Sequence, residues 1–149
     1  LLASSAASDV YKRQEHYLIN TVDEGLEFCK EIDSPNCKLL LDCFHMNIEE
    51  DDIEQSIEKA ADHIGYFHVS EPNRKVPNTC AHINWKAIGK ALKKTGYDGA
   101  VVLEPFYKFG GEQGHNMRMW RDLDKDLSME NRLRIAEQGI EYIKTQFEE

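Results

Sequence analysis

Three short apolar runs in this chain each finish on a residue able to ligate a metal. They are Leu39-Leu40-Leu41-Asp42, Gly65-Tyr66-Phe67-His68 and Ala100-Val101-Val102-Leu103-Glu104. None carries a charge before its last residue, so each reads as a buried strand, and each is followed by helical periodicity. The terminal residues are 26 and 36 positions apart, close to the length of a strand–helix–strand unit. Repeated units of this kind imply a parallel sheet, whose strands all run the same way. The three last residues must then lie on one rim. Two carboxylates and an imidazole gathered there suit a hard or borderline divalent cation.

Length limits how such units can close. The chain has 149 residues, enough for one domain with a modest core. A closed eight-fold strand–helix barrel needs about 250. Three or four units therefore make either a small open sheet with helices or the C-terminal part of something larger. A formal net charge of −9 disfavours a broad contact with a phosphate backbone, which needs clustered Lys and Arg. No apolar stretch approaches the ~20 residues of a membrane span. The four cysteines, Cys29, Cys37, Cys43 and Cys80, show neither C-x-x-C nor zinc-finger spacing. They read as reduced thiols of a cytoplasmic protein, with Cys43 beside a proposed ligand.

Residues 1–14 read as a non-native leader. The stretch from Leu1 to Ser8 has no initiator Met, no basic n-region and too short an apolar core for a signal peptide. Ser4 to Gln14 resembles translated adapter sequence, and the natural chain is expected to enter near Glu15. From there the organisation is regular. Asn20 or Thr21 caps a helix running to about Ile32, with Asp23 and Glu24 in its first turn. A strand follows over about 38–44. Asn47 caps the next helix, whose apolar face is Ile53, Ile57, Ala60, Ala61 and Ile64; Glu49, Glu50, Asp51 and Asp52 complement its dipole. A long loop over 70–83 holds Arg74 and Lys75. Asn84 caps a helix over 85–94 with Ala87, Ile88, Ala91 and Leu92 inward, ended by Gly96. A second long loop follows Glu104; its glycines Gly110, Gly111 and Gly114 lack the spacing of a phosphate-binding fingerprint. A last helix over 128–147, with Ser128 and Asn131 as candidate caps, presents Leu133, Ile135, Ala136, Ile140, Ile143 and Phe147.

Singly, a strand-terminal Asp could be a helix cap and a strand-terminal His a satisfied interior residue. Three such residues in successive units favour a metal centre of Asp42, His68 and Glu104, for Mn²⁺, Mg²⁺ or Co²⁺ rather than a structural zinc, which usually takes Cys. His45 lies just past Asp42 and can reach over the pocket. Arg74 follows His68 on the same side of the sheet and can fix a substrate oxygen, or be a surface charge.

These residues also resemble a known family. The segment Leu41-Asp42-Cys43-Phe44-His45-Met46-Asn47 is similar to the Leu-Asp-Thr-Phe-His-Met-Asn segment of the ketose 3-epimerases, the D-tagatose and D-allulose (psicose) 3-epimerases of the xylose-isomerase-like barrel superfamily. The segments 67–74, 96–99 and 103–106 continue the likeness in order, and 119–123 also resembles it. The resemblance spans about 15–147 and implies the C-terminal half of a (βα)8 TIM barrel. It implies that Asp42, His68 and Glu104 are three of four metal ligands, with Mn²⁺ first and Co²⁺ or Mg²⁺ as alternatives. It makes Glu104 one of two carboxylates that exchange the proton at C3 of a free ketohexose through an enediolate, and Glu15, His45 and Arg74 substrate contacts. The other ligand-and-base Glu is expected six residues before Glu15, where Asp9 stands; Cys43 replaces a Thr. It further implies a homo-oligomer for the full-length protein, with no nucleic-acid or membrane partner. The isolated chain is expected to be nearly inactive. Alternatives are another member of the superfamily (a hydroxypyruvate isomerase, an inosose dehydratase or a sugar-phosphate epimerase) or a non-catalytic metal-binding half-barrel. An abasic-site endonuclease would want more ligands and a basic face.

Overall fold

The computed structural model describes residues 18–78, 82–116 and 119–148. The expectations for the leader, Asp9, Glu15 and Cys80 fall outside them. In chain order the elements are α1 (Val22–Ile32), β1 (Leu39–Asp42), α2 (Cys43–Glu49), α3 (Ile53–Ala60), a 3₁₀ turn (Ala61–His63), β2 (Ile64–Val69), α4 (Trp85–Thr95), β3 (Val101–Leu103), α5 (Gly111–Asn116) and α6 (Met129–Glu148). The three strands form one parallel sheet in the order β1-β2-β3. This is the expected alternation of parallel strands and helices.

Local chemistry sets most boundaries. Thr21 starts α1 with a capping box: its hydroxyl accepts the Glu24 N–H, and the Glu24 carboxylate accepts the Thr21 N–H. Asn84 caps α4 by accepting the Ala87 N–H, and Gly96 ends it at φ 72°, a left-handed backbone that glycine adopts without penalty. Ser128 accepts the Asn131 N–H at the start of α6, while the Asn131 side chain donates back to the Asp126 carbonyl. Ser128 is thus the cap, while Asn131, the other candidate, lies inside the helix and ties its first turn back to the preceding loop.

Two boundaries differ from the sequence reading. Asn47 does not cap a helix; it lies inside α2, which Asp42 itself starts by accepting the Phe44 N–H at 2.9 Å. The chain breaks after Glu49 and restarts when Asp52 accepts the Gln55 N–H at 2.9 Å, so one anticipated helix is two. Ile64, assigned to that helix's apolar face, is instead the first residue of β2 and is buried there. The apolar period carries through the 3₁₀ turn, and periodicity alone does not mark where it changes. The short helix α5 in the second long loop was not anticipated.

The sheet has two unlike faces. Leu39, Leu41, Phe67 and Val69 are buried on one, with Met46, Ile57, Trp85, Ile88, Ala91 and Leu92 completing a continuous core. Helices α3 and α4 pack together, and α6 docks on α4 at Gly89, where a Cβ would stand 2.9 Å from the Phe147 Cα. Leu133 and Ile140 were expected inward but are exposed. The helix docks through Gly139, Ile143 and Phe147, and the other two fall beside that contact.

The other face carries the proposed ligands. Asp42 pairs with His68, and His68 with Val102. Side chains alternate along a strand, so Glu104, two residues beyond Val102, returns to the same face. Its N–H donates to the Val69 carbonyl at 3.2 Å, continuing the ladder one step past β3.

Candidate metal and substrate site

The Asp42, His68 and Glu104 side chains meet at the C-terminal rim of the sheet. One ligand atom from each lies within 4.8 Å of the others. The His68 Nδ1 is 3.1 Å from Glu104 Oε2. A carboxylate oxygen only accepts, so Nδ1 carries the proton in that contact. Asp42 is fully buried, and its two oxygens divide their work: Oδ1 caps α2, while Oδ2 accepts from Arg74 Nη1 at 2.8 Å.

Arg74 ties the rim together. Its Nη1 also donates to Glu104 Oε2 at 3.1 Å, and its Nη2 contacts His45 Nε2 at 2.8 Å. A guanidinium cannot accept, so His45 Nε2 is the acceptor and the ring is neutral with its proton on Nδ1. The guanidinium lies 3.9 Å from the Phe44 ring centroid and 5.0 Å from that of Phe106. These stacking contacts suit a planar cation and hold it in place. Arg74 is therefore a buried member of the site, not a surface charge, and His45 reaches the pocket as expected.

Electrostatics separate the two carboxylates. Burial acts to raise the Glu104 pKa, but the hydrogen bond from His68, the Arg74 guanidinium and a bond shared with Asp42 overcome it and lower it to about 2. Burial raises that of Asp42, against the pull of the Arg74 guanidinium and with the charge of Glu104 adding to the rise. Cys43 is pushed well above the usual thiol range, first by burial and then by the charge of Asp42, so it stays a thiol rather than a thiolate ligand. Two carboxylates, one imidazole and no thiolate fit a hard or borderline divalent cation.

The structure thus brings together Asp42, His45, His68, Arg74 and Glu104; Glu15 lies outside the described residues. Sequence reasoning missed Phe44 and Phe106. Each stands two residues after a strand-terminal ligand, and that position next to the rim was the available signal.

Comparison with known proteins places the geometry. The family model described as Xylose isomerase-like TIM barrel matches residues 9–146. The D-psicose 3-epimerase of Ruminiclostridium cellulolyticum is 44% identical over 134 residues, covering 90% of this chain and 45% of the relative. That of Enterocloster bolteae is 42% identical over 139 residues, covering 93% and 46%. A crystal structure of the D-psicose 3-epimerase from Clostridium cellulolyticum with D-tagatose superposes with a TM-score of 0.87 at 43% identity, over 91% of this chain and 46% of that one. The chain spans a little under half the length of these relatives.

Proposed function

The chain belongs to the xylose isomerase-like TIM barrel family, and from that premise we propose that it is the site-bearing C-terminal half of a ketose 3-epimerase acting on a free ketohexose. One observation carries the reading: the Asp42, His68 and Glu104 ligand atoms, drawn from three successive strand ends, converge within 4.8 Å. The relatives named psicose 3-epimerase support the substrate class.

In this reading Asp42, His68 and Glu104 hold a divalent cation, Mn²⁺ before Co²⁺ or Mg²⁺. Such a cation supplies Lewis-acid polarisation of the ketose carbonyl. Glu104 takes up or returns the proton at C3. Its contacts with His68 and Arg74 keep the Glu104 carboxylate ionised and oriented. Arg74 donates N–H groups toward substrate oxygens where negative charge develops. His45 offers a neutral imidazole beside it, and Glu15 is a further substrate contact. Inversion at one carbon needs a second carboxylate on the opposite side of the ketose, and the sequence candidate, Asp9, is one methylene shorter than Glu. Its reach to the same carbon is correspondingly poorer. A homo-oligomer in the cytoplasm completes the proposal for the whole protein.

Two measurements test this. Titrating Mn²⁺ into the purified chain should give one site per chain, abolished in Asp42→Asn and Glu104→Gln. Psicose–fructose interconversion by the Mn²⁺-loaded chain should be at least about a hundredfold slower than that of a full-length relative, as expected when one of two proton-transfer groups is compromised. Absent Mn²⁺ binding would remove the metal site; turnover equal to the relative's would remove the need for a second half.

A further inference from the structure

Glu71 has no part in the chemistry above, yet its side chain is fully buried. Its Oε1 accepts the Trp85 indole N–H at 3.0 Å and the Asn78 backbone N–H at 3.3 Å; its Oε2 accepts the His82 backbone N–H at 3.4 Å. A buried carboxylate is tolerated only when satisfied in this way. Those donors come from the middle and the far end of the long loop after β2 and from the first residue of α4, so the carboxylate at the loop's start ties it together.

The backbone of the same residue builds the turn carrying Arg74. The Glu71 N–H donates to the Lys75 carbonyl at 2.9 Å, and the Arg74 N–H donates to the Glu71 carbonyl at 2.7 Å. Asn73 Oδ1 accepts the Lys75 N–H at 3.0 Å. Within this turn Arg74 holds φ at 63°, in the left-handed region. For a residue with a Cβ that costs about 1–2 kcal/mol. Such a conformation persists only where its surroundings fix it from several sides, and it clusters at functional sites. Here the turn is fixed from below by Glu71 and from the β3 side by the Phe106 N–H, which donates to the Arg74 carbonyl at 2.8 Å. The outcome is a guanidinium aimed at Asp42, Glu104 and His45.

We infer that Glu71 is a positioning residue for Arg74: its carboxylate, anchored on Trp85, fixes the 71–75 turn whose left-handed backbone directs the guanidinium into the site. The consequence for a ketose rests on the epimerase reading above; the coupling between Glu71 and Arg74 does not. A Glu71 that served only the fold would contribute stability without controlling how Arg74 is held.

NMR of the whole chain tests the coupling directly. In the wild type the Arg74 Nη–H signals, assigned by their loss in Arg74→Lys, stand apart from the averaged signals of solvated arginines, because the group is held by three partners. Glu71→Gln keeps the size of the side chain but sets an NH2 group against incoming N–H donors. It should merge the Arg74 signals with the averaged set while the amide signals of α1 and α3 stay in place. Trp85→Phe, which removes one donor and leaves Glu71, should do the same to a smaller degree. Unchanged Arg74 signals in a folded Glu71→Gln chain would overturn the inference, and so would loss of the folded amide spectrum in both variants, which would assign Glu71 to the fold alone. Where the Mn²⁺-loaded chain turns over ketose, Glu71→Gln should raise KM about tenfold with a smaller change in kcat, the signature of lost substrate binding. Absent Mn²⁺ binding counts against the epimerase reading, whereas a chain that binds Mn²⁺ without turnover fits it; in either case the Arg74 signals decide this one.

Discussion

At the scale of single residues, the rim is a network in which each charge leans on another. Asp42 is buried and paired with Arg74 at 2.8 Å. Removing one partner of such a pair leaves the other uncompensated. Arg74→Met is therefore expected to lower the unfolding free energy of the metal-free chain by about 3 kcal/mol in urea titrations, and adding Asp42→Asn should recover part of the loss. A second expectation concerns Cys29. Burial, then the hydrogen bond and charge of Cys37, raise its pKa to about 11, and the two sulfurs lie 3.8 Å apart. The unfolded chain loses this proton near pH 9, before the folded chain does, so the term is absent at neutral pH and subtracts stability as pH rises from about 9 to 11. Unfolding at stepped pH should show that decline, flattened in Cys29→Ala, and iodoacetamide at pH 8 should label half-buried Cys37 before Cys29. The clustering of Asp42, His68 and Glu104 was legible in the sequence because each ends an apolar run. The stacking of Phe44 and Phe106 on Arg74 was not, because nothing in a linear string says that positions 44, 74 and 106 share a layer.

Among the helices, caps with a single strong acceptor were readable. Thr21 with Glu24, Asn84, Gly96 and Ser128 all act where the sequence places them. The break between α2 and α3 was hidden, because Asp42 is at once a proposed ligand and a cap, and Asp52 sat within a run of four acids whose members look alike from sequence. Close helix contact was equally invisible. Gly89 in α4 gains helix propensity when changed to Ala, by roughly 1 kcal/mol. Against that, the new Cβ would meet Phe147 at 2.7 Å on its ring and 2.9 Å on its backbone. Backbone cannot swing aside, so overpacking, typically about 1–3 kcal/mol, should win. Gly89→Ala is expected to lower Tm, and Gly89→Ala with Phe147→Ala to recover less than half of the loss, since the 2.9 Å backbone contact remains.

For the whole molecule, the proposed centre joins β1, β2 and the exit of β3, so a bound cation would stabilise the folded sheet. At about a hundredfold excess over Kd the gain is about 2.7 kcal/mol, several degrees in Tm for a chain of this size. EDTA should reverse an Mn²⁺-induced rise in Tm, and Glu104→Gln should show no rise at all; an equal rise in that variant would place the cation elsewhere. The parallel order of the strands was legible from repeated strand–helix units. Their stagger was not, because register depends on pairing across the sheet rather than along the chain. That stagger has a further consequence. His68 faces Val102, and Glu104 joins it only by sitting an even number of steps further on. Deleting one residue between Ala100 and Leu103 would reverse the parity of the strand and turn residue 104 toward the helices, abolishing metal uptake while keeping every ligand in the sequence. Evolution can lengthen or shorten the loops of such a fold freely, but in its strands length changes by twos.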